Sequence, residues 1–171
     1  SLDERIEFFV SDTRNLSGDK RFAITPLARQ FGGFFCRKGH PLAGRRLKDA
    51  APVATYPLAS VHLPDLIQKQ LAAFLGRDPG SEFLTSVACD KPELLAHVAL
   101  NSNAILMTTN AAVVEDLRLG RLVQIHIRNA PKFYTDMGVV TLAGRSFSAG
   151  GAWIIERMRD LAAAQAARFA P

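Results

Sequence analysis

Short apolar segments alternate with longer segments of helical periodicity from Pro57 onward, and this alternation is the strongest constraint on the fold. A short apolar run closed by turn formers is typical of a buried strand, whereas apolar residues spaced three and four apart indicate a helix. Strands separated by helices form βαβ units, which place the strands parallel and cover the sheet on both faces. This pattern predicts an α/β protein with mainly parallel sheets.

The individual elements follow from the same pattern. Strands are predicted at residues 5–10, 22–25, 31–37, 57–61, 83–89, 104–107, 122–127 and 137–142. Gly32 and Gly33 indicate a bend or a close approach of two backbones. Helices are predicted from Asp65 to Gly76, from Asp90 with Glu93 as a capping box, from Asn110 as N-cap to Gly120, and from 148 to 168. The side chains expected to face the core include Ile67, Leu71, Phe74, Leu75, Leu94, Leu95, Val98, Trp153, Ile154, Met158 and Leu161.

Composition excludes several classes of protein. With 171 residues, of which 48% are hydrophobic and 22% charged, the chain has an ordinary globular composition. It contains no apolar run long enough to cross a membrane and no secretion signal, so we expect a cytoplasmic protein. Cys36 and Cys89 are too far apart for a disulfide framework or a zinc cluster, and their apolar neighbours predict buried, reduced thiols.

The formal net charge of +5 raises the question of nucleic-acid binding, but the Lys and Arg residues are scattered. The densest basic group surrounds the turn HPLAG and has no interleaved aromatic residues that could stack on bases. A solvated surface is therefore favoured for this group, which comprises Arg37, Lys38, Arg45, Arg46 and Lys48.

The residues show no arrangement typical of catalysis. An enzyme needs a nucleophile with a base, two facing carboxylates or a metal cluster. The histidines at positions 40, 62, 97 and 126 show no metal-ligand spacing, and the acidic residues fall largely in helix first turns or on polar helix faces. No G-x-G-x-x-G motif and no P-loop is present, so nucleotide binding has no support. We expect no catalytic residue, no metal and no cofactor.

Five stretches, taken in order, resemble the effector-binding domain of LysR-type transcriptional regulators. The clearest is RKGHPLAG at residues 37–44, directly after the strand GGFFC. The others are YPLAS at 56–60, LLAHVALNSNAILMTT at 94–109, GRLVQI ending at 125, and GRSFSAGGAWIIERMRDL at 144–161. None of these strings is specific alone, and it is their order over nearly the whole chain that carries the resemblance.

The resemblance implies a periplasmic-binding-protein-like fold of type II with two lobes. Residues 1–46 and 131–171 would form the first lobe, and residues 47–130 the second. The family's DNA-binding helix-turn-helix has no counterpart here, nor have the opening strand, helix and second strand of the first lobe, so we expect that lobe to be incomplete. The implied partners are a small-molecule effector, further copies of the chain in a dimer or tetramer, and DNA through the absent domain only, with no membrane.

The resemblance also implies an effector site, because ligands of such folds lie at the carboxyl ends of strands, here in a crevice between the lobes. The residues implied to converge there are Ser11, Asp12, Thr13, Ser60, Val61, His62, Asn101, Ser102 and Asn103, with Arg29 as a partner for an anionic effector. Structural alternatives stay open, since Asp12 could close a turn, Ser60 could cap backbone amides and Arg29 could be a surface residue. The chain departs from the family pattern at Asn101–Ser102–Asn103 and at Thr108 and Thr109.

Two functional hypotheses result. The first is a sensor that closes on a small polar metabolite such as a carboxylate and thereby shifts the geometry of an oligomer and its DNA-binding domains. The alternative is a solute-binding protein of a transport system with the same architecture. An upstream coding sequence for a helix-turn-helix would favour the sensor, and one for a secretion signal would favour transport.

An incomplete first lobe would expose core surface and unpaired strand edges. We therefore expect the purified chain to self-associate through that edge or to hold a missing fragment non-covalently. Size-exclusion chromatography with light scattering measures this directly. A mass of two or more copies, or of the chain with a fragment, is expected, whereas a well-behaved monomer would contradict the expectation.

Overall fold

The computed structural model describes residues 7–78 and 85–169, so parts of the strands expected at 5–10 and 83–89 lie outside the described residues. The chain divides into two units. The first comprises described residues 7–31 and 134–169, and the second is built from residues 32–133. This division differs from the expected lobes in that residues 32–46 and 131–133 belong to the second unit. None of the described helices is both long and apolar enough to cross a membrane.

The observed elements largely follow the expected order. The strands are β1 (Phe9–Asp12), β2 (Phe22–Pro26), β3 (Gln30–Arg37), β4 (Arg46–Leu47), β5 (Leu58–Ser60), β6 (Val87–Ala88), β7 (Ile105–Thr109), β8 (Leu122–Ile127), β9 (Tyr134–Thr135) and β10 (Met137–Leu142). The helices are α1 (Ala51–Ala54), α2 (Asp65–Phe74), α3 (Pro92–Leu100), α4 (Val114–Arg118), which follows a 3-10 turn at Ala111–Val113, and α5 (Ala149–Arg168).

The described part of the first unit contains an antiparallel sheet in the order β1–β10–β2. The central strand β10 carries the buried side chains of Val139 and Val140, both 0% exposed. Because β10 runs against both its neighbours, the end of β1, the end of β2 and the start of β10 lie at one end of this sheet. That end holds Asp12, Pro26 and Met137.

The described strands of the second unit form a mixed sheet in the order β4–β8–β3–β7–β5–β6. Strand β3 runs antiparallel to β7 and β8, whereas β5 is parallel to β6 and β7, and β4 is parallel to β8. The α/β class is confirmed. Neither sheet is mainly parallel in its described strands: the sheet of the first unit is antiparallel, and that of the second is mixed because β3 runs against both its neighbours.

The sheet of the second unit is covered on both faces, as expected for βαβ units. Neighbouring side chains of β3 alternate, so that Phe34 packs with Leu71 of α2 in one apolar cluster and Phe35 packs with Leu95 of α3 in the other. Cys36 is 0% exposed, which confirms the expected buried thiol, and burial raises its pKa to about 11. Cys89 is only half-buried.

Gly32 confirms the predicted close approach of two backbones. A Cβ atom at this position would lie 2.5 Å from the carbonyl oxygen of Thr108 on the neighbouring strand β7. At Gly33 the nearest atom would be the terminal nitrogen of the Gln124 side chain, at 2.9 Å. Gly32 therefore contacts a backbone that cannot yield, whereas the neighbour of Gly33 is the end of a flexible side chain.

Two predicted helix caps are wrong. Helix α3 begins at Pro92 without a side-chain cap, and the Asp90 carboxylate instead contacts the His62 ring, so Asp90 and Glu93 form no capping box. Asn110 makes no capping bond with its side chain, and the backbone N–H of Ala112 donates to the Thr109 hydroxyl at 3.3 Å. In both places a neighbouring polar group competes with the expected cap.

The buried faces of α3 and α5 also differ from the prediction. Leu94 of α3 is 51% exposed, while Trp153, Ile154 and Leu161 of α5 are 65%, 43% and 67% exposed. The residues that α5 buries are Gly151 and Ile155, and the Gln30 side chain donates to the Ala162 carbonyl at 3.3 Å. Helix α5 thus packs through the face that carries Gly151 and Ile155, and Trp153, Ile154 and Leu161 are left outside the core of the first unit.

Gly32→Ala is expected to lower the free energy of unfolding by about 1–3 kcal/mol, because the added methyl group overlaps the Thr108 carbonyl and forces β3 and β7 apart. Gly33→Ala is the matched control and should cost less, since the Gln124 side chain can rotate away. Urea denaturation followed by circular dichroism measures both variants. Equal stability of Gly32→Ala and the unmodified chain would show that the two strands can separate without loss.

A candidate effector site at the strand ends

The strand ends of the first unit bring together several of the predicted site residues. The backbone N–H and the hydroxyl of Thr13 both donate to the Asp136 carbonyl oxygen at 2.9 Å. The Asp136 carboxylate accepts two hydrogen bonds from Arg29, at 2.6 Å from Nε and 3.0 Å from Nη2. Thr13 and Arg29 therefore meet through a residue that lies far away in the sequence.

Arg29 is held in a planar, two-point arrangement. Its guanidinium carbon lies 3.9 Å from the centre of the Tyr134 ring, and its hydrogen bonds to Asp136 raise its pKa. The side chains of Arg29 and Asp136 remain 48% and 36% exposed. A stacked guanidinium with fixed donors is suited to bind a carboxylate, and here the carboxylate of Asp136 takes that place.

A second ion pair lies on the same Tyr134 ring. Arg14 folds back on Asp12, with its Nε atom 2.9 Å from each carboxylate oxygen and Nη2 also bonded to Asp12 Oδ2. Its guanidinium carbon lies 5.5 Å from the Tyr134 ring centre. The pKa of Arg14 is raised, chiefly by its hydrogen bonds to Asp12 and in smaller part by the charge of Asp136. The backbone N–H of Arg14 also donates to Asp12 Oδ1 at 3.1 Å, so the Asp12 side chain closes a turn at the end of β1, as the structural alternative allowed.

Ser11 and Asp12 belong to β1 itself, whereas the sequence placed them just after the strand. In the antiparallel register Ser11 pairs with Gly138 and Asp12 with Met137. The Ser11 hydroxyl donates to the Asp12 carbonyl at 3.3 Å. Strand β1 continues through both residues because β10, which begins at Met137, offers a backbone partner to each of them.

In the second unit, Ser60, Val61 and His62 lie at the carboxyl end of β5, as predicted. Ser60 is 0% exposed and its hydroxyl donates to the Val61 carbonyl at 2.8 Å. His62 is exposed, and its Nδ1 atom lies 2.8 Å from Asp90 Oδ1. This contact lowers the pKa of Asp90. Val61 and His62 are the accessible groups of the three.

Asn101, Ser102 and Asn103 do not join Ser60. The parallel register pairs Leu58 with Ile105 and Ser60 with Met107, so Asn103 is level with the residues that precede β5. At roughly 3.3 Å of rise per residue, Asn103 lies about 13 Å along the strand direction from the level of Ser60. The expected convergence of these groups with Ser60 is therefore wrong, because the turn that precedes a parallel strand lies at its amino end.

The side chains of this turn are already occupied. The Asn101 amide donates to the His97 carbonyl at 2.9 Å, and the Ser102 hydroxyl donates to the Val98 carbonyl at 2.7 Å. Arg37 donates to the Asn103 side-chain oxygen at 2.8 Å. These bonds terminate α3 and fix the turn before β7.

His40 completes this connection as a buried residue, 3% exposed. Its Nδ1 atom accepts from the backbone N–H of Leu42 at 3.0 Å, and its Nε2 atom lies 3.2 Å from the Asn103 carbonyl oxygen, to which it donates in the matching neutral tautomer. The ring also packs on Tyr56, with 4.6 Å between the ring centres. Burial is the main cause that lowers the His40 pKa.

Sequence reasoning missed several residues that the strand pairing places beside the predicted site residues of each unit. Thr109 ends β7 at the carboxyl end that it shares with β5, and it is half-buried. Asp136 and Tyr134 surround Arg29 in the first unit. The polar residues that follow the apolar run at 104–107 could have indicated Thr109, but nothing in the sequence indicated the pairing of Arg29 with a residue 107 positions away.

Other possible sites lie elsewhere or are not found in the described residues. A groove of about 440 Å³ in the first unit contains none of the predicted site residues, and its lining is formed by residues 26–28 and by Glu156, Arg159, Asp160 and Ala163. Across residues 7–78 and 85–169, no group of three or more His, Cys, Asp or Glu side chains could hold a metal ion.

Comparison with known proteins gives one family and one fold. The family model described as "LysR substrate binding domain" matches residues 2–163. A curated relative, the SDS degradation transcriptional activation protein of Pseudomonas sp. (strain ATCC 19151), is 34% identical over 175 residues, which cover 99% of this chain and 54% of the relative. The chain thus spans about half the length of the curated relative it matches.

Two solved structures show the fold. The effector domain of the transcriptional regulator AmpR of Pseudomonas aeruginosa has a TM-score of 0.70 at 12% identity, with 97% of this chain and 76% of that chain covered. The effector binding domain of QuiR in complex with shikimate has a TM-score of 0.68 at 15% identity, with 95% and 75% covered. The expected periplasmic-binding-protein-like fold of type II is confirmed.

Stability should depend on pH through His40. Its pKa is lowered in the folded chain, so the unfolded chain binds more protons below about pH 6.5, and the free energy of unfolding falls as the pH drops, by at most about 1.4 kcal/mol per pH unit. Urea denaturation at pH 7.5 and pH 5.5 should show a smaller loss for His40→Gln than for the unmodified chain. His97→Gln, at an exposed histidine, is the control. Equal losses for His40→Gln and the unmodified chain would contradict the assignment.

Proposed function

The chain belongs to the LysR substrate binding domain family, and on that premise we propose that it is the small-molecule-sensing part of a bacterial transcriptional regulator. The single observation that carries the proposal is the family match over residues 2–163, which spans both units. The role of the curated relative in transcriptional activation supports a regulator over the alternative of a transport protein. We infer that the chain binds its effector without chemical change, in the cytoplasm.

The effector is proposed to contact polar groups at the carboxyl ends of strands. Backbone and side-chain groups at such ends are free to point toward a ligand because the strand pairing stops there. Asn101, Ser102 and Asn103 are left out of the proposed site, because they lie at the opposite end of β7 and are already bonded. Within the first unit the proposed contacts are Thr13 and Arg29, and within the second unit, taken by itself, they are Val61, His62 and Thr109.

Buried or paired residues next to these contacts are proposed to support them. The Ser60 hydroxyl fixes the backbone at the start of the turn that carries His62. Ser11 and Asp12 hold the end of β1, from which Thr13 reaches Asp136. Removal of a supporting residue should weaken effector binding through a shift of its neighbour and not through a lost contact.

A carboxylate is the effector class that these groups favour. Arg29 offers a charged, planar donor pair at an exposed position, and Thr13 and Thr109 offer hydroxyls. The QuiR effector binding domain was solved in complex with shikimate, a compound that carries one carboxylate and several hydroxyls. That ligand of a protein with the same fold supports the same effector class for this chain.

Further copies of the chain and DNA are the proposed macromolecular partners. Trp153 and Leu161 of α5 are 65% and 67% exposed, and they support self-association because apolar side chains are stabilised when another copy removes them from water. Because the chain spans about half the length of its curated relative, we propose that the contact with DNA is made by another part of the regulator.

A thermal-shift screen of carboxylate metabolites, with shikimate as the first compound, tests the proposed site. For a compound that stabilises the chain, His62→Ala and Thr109→Ala should each weaken binding about threefold to tenfold, the loss expected for one hydrogen bond. Asn101→Ala is the control and should leave binding unchanged. A compound whose binding is insensitive to His62→Ala and Thr109→Ala but abolished by Asn101→Ala would place the site at the other end of the sheet.

A further inference from the structure

Asp136 occupies the position on Arg29 that a bound carboxylate would take. We propose that Asp136 is a built-in substitute for the effector's anionic group, which holds Arg29 in the absence of effector and is displaced when an anion binds. This inference rests on the proposed sensing function and adds to it the charge of the effector and the residue that competes with it. Displacement breaks no covalent bond and needs no co-reactant.

The geometry of the pair makes exchange feasible. Arg29 presents Nε and Nη2 to one carboxylate, and stacking on Tyr134 fixes the plane of the guanidinium whichever anion it holds. Both partners are more than a third exposed, so an anion from solution can reach Arg29. Exposed ion pairs contribute little stability, and the cost of breaking this one is correspondingly small.

The position of the Asp136 backbone does not depend on the Asp136 carboxylate. Thr13 donates both its backbone N–H and its hydroxyl to the Asp136 carbonyl oxygen, each at 2.9 Å. The carboxylate can therefore leave Arg29 while the backbone stays in its place. If the Asp136 carboxylate served only to hold the fold, it would be expected to anchor this segment. Here the main-chain carbonyl of Asp136 anchors the segment instead.

The charges around Tyr134 explain why the anion and Asp136 exclude each other. Arg14 and Arg29 carry two positive charges, and Asp12 and Asp136 balance them. A further anion on Arg29 beside a charged Asp136 would leave excess negative charge at close range, which is unfavourable. Neutralising Asp136 should therefore strengthen anion binding, although it removes an ion pair from the protein.

Displacement would also affect the segments that join the two units. Arg29 lies two residues before Phe31, and Asp136 lies two residues after Tyr134, which are the positions where the chain leaves and re-enters the first unit. The ion pair thus links the two connecting segments beside the pairing of Gln30 with Thr135. An anion that takes Arg29 removes this link between two segments of the first unit.

The test is a titration of the folded chain with sodium sulfate at constant ionic strength. The NMR signals of the arginine Nε–H groups report the binding. Sulfate oxygens accept from Nε and Nη2 as a carboxylate does. Asp136→Asn, which keeps the shape of the side chain, should bind sulfate about twofold to fivefold more tightly than the unmodified chain, the range expected when a competing exposed pair is removed. The amide spectrum of each variant verifies that it is folded.

Asp19→Asn is the matched control. Asp19 pairs with Arg21, whose guanidinium carbon lies 5.5 Å from the Phe22 ring, so this variant also removes one negative charge and releases one arginine near an aromatic ring. It should leave sulfate binding at Arg29 unchanged. The double variant Arg29→Gln with Asp136→Asn should lose the binding that Asp136→Asn gains.

Three results would overturn the inference: equal sulfate affinity of Asp136→Asn and the unmodified chain, an equal gain in Asp19→Asn, or binding retained in the double variant. These outcomes are separate from failure of the proposed function. If a metabolite binds but Asp136→Asn does not strengthen sulfate binding, the substitute role alone is wrong. If sulfate exchanges at Arg29 but no metabolite stabilises the chain, the sensing function is wrong and the anion exchange stands.

Discussion

The parallel register of β5 and β7 is the constraint on which the second unit and its candidate site depend. It aligns Ser60 with Met107, so the turn after β5 and the end of β7 share one edge of the sheet. The antiparallel pairing of β3 with β7 is possible at close range because Gly32 has no side chain to meet the Thr108 carbonyl. A polar group reaches this edge if its residue follows β5 or β7, or if it lies at the start of β3, where Gly32 pairs with Thr109.

The sequence pattern predicted the α/β class and the bounds of several elements, because the spacing of apolar residues differs between helices and strands. It could not predict that β3 runs antiparallel to β7 and β8, since strand direction follows from long-range pairing. It also assigned Trp153 and Leu161 to the core, although α5 buries Gly151 and Ile155. Periodicity identifies an apolar stripe, but the stripe that packs is decided by which face can approach its neighbours closely.

The candidate site shows a similar division. The position of Ser60, Val61 and His62 at the carboxyl end of β5 was predicted correctly, because the end of a buried strand is marked in the sequence by the change from apolar to polar residues. Asn101–Ser102–Asn103 were misplaced, although the order of helix, turn and strand already indicates the amino end of a parallel strand. Asp136 was missed because an ion pair between distant segments has no local signal, and the same pairing gives Arg29 both its orientation and its competitor.

Hydrogen–deuterium exchange with a bound metabolite can show whether the strand pairing selects the binding groups. The measurement compares the chain with and without the first carboxylate that stabilises it. Slower exchange is predicted in the segments 60–63 and 108–112, with no change in 101–104. Protection confined to residues 101–104, with the segments after β5 and β7 unaffected, would show that the binding groups lie at the amino end of β7 instead.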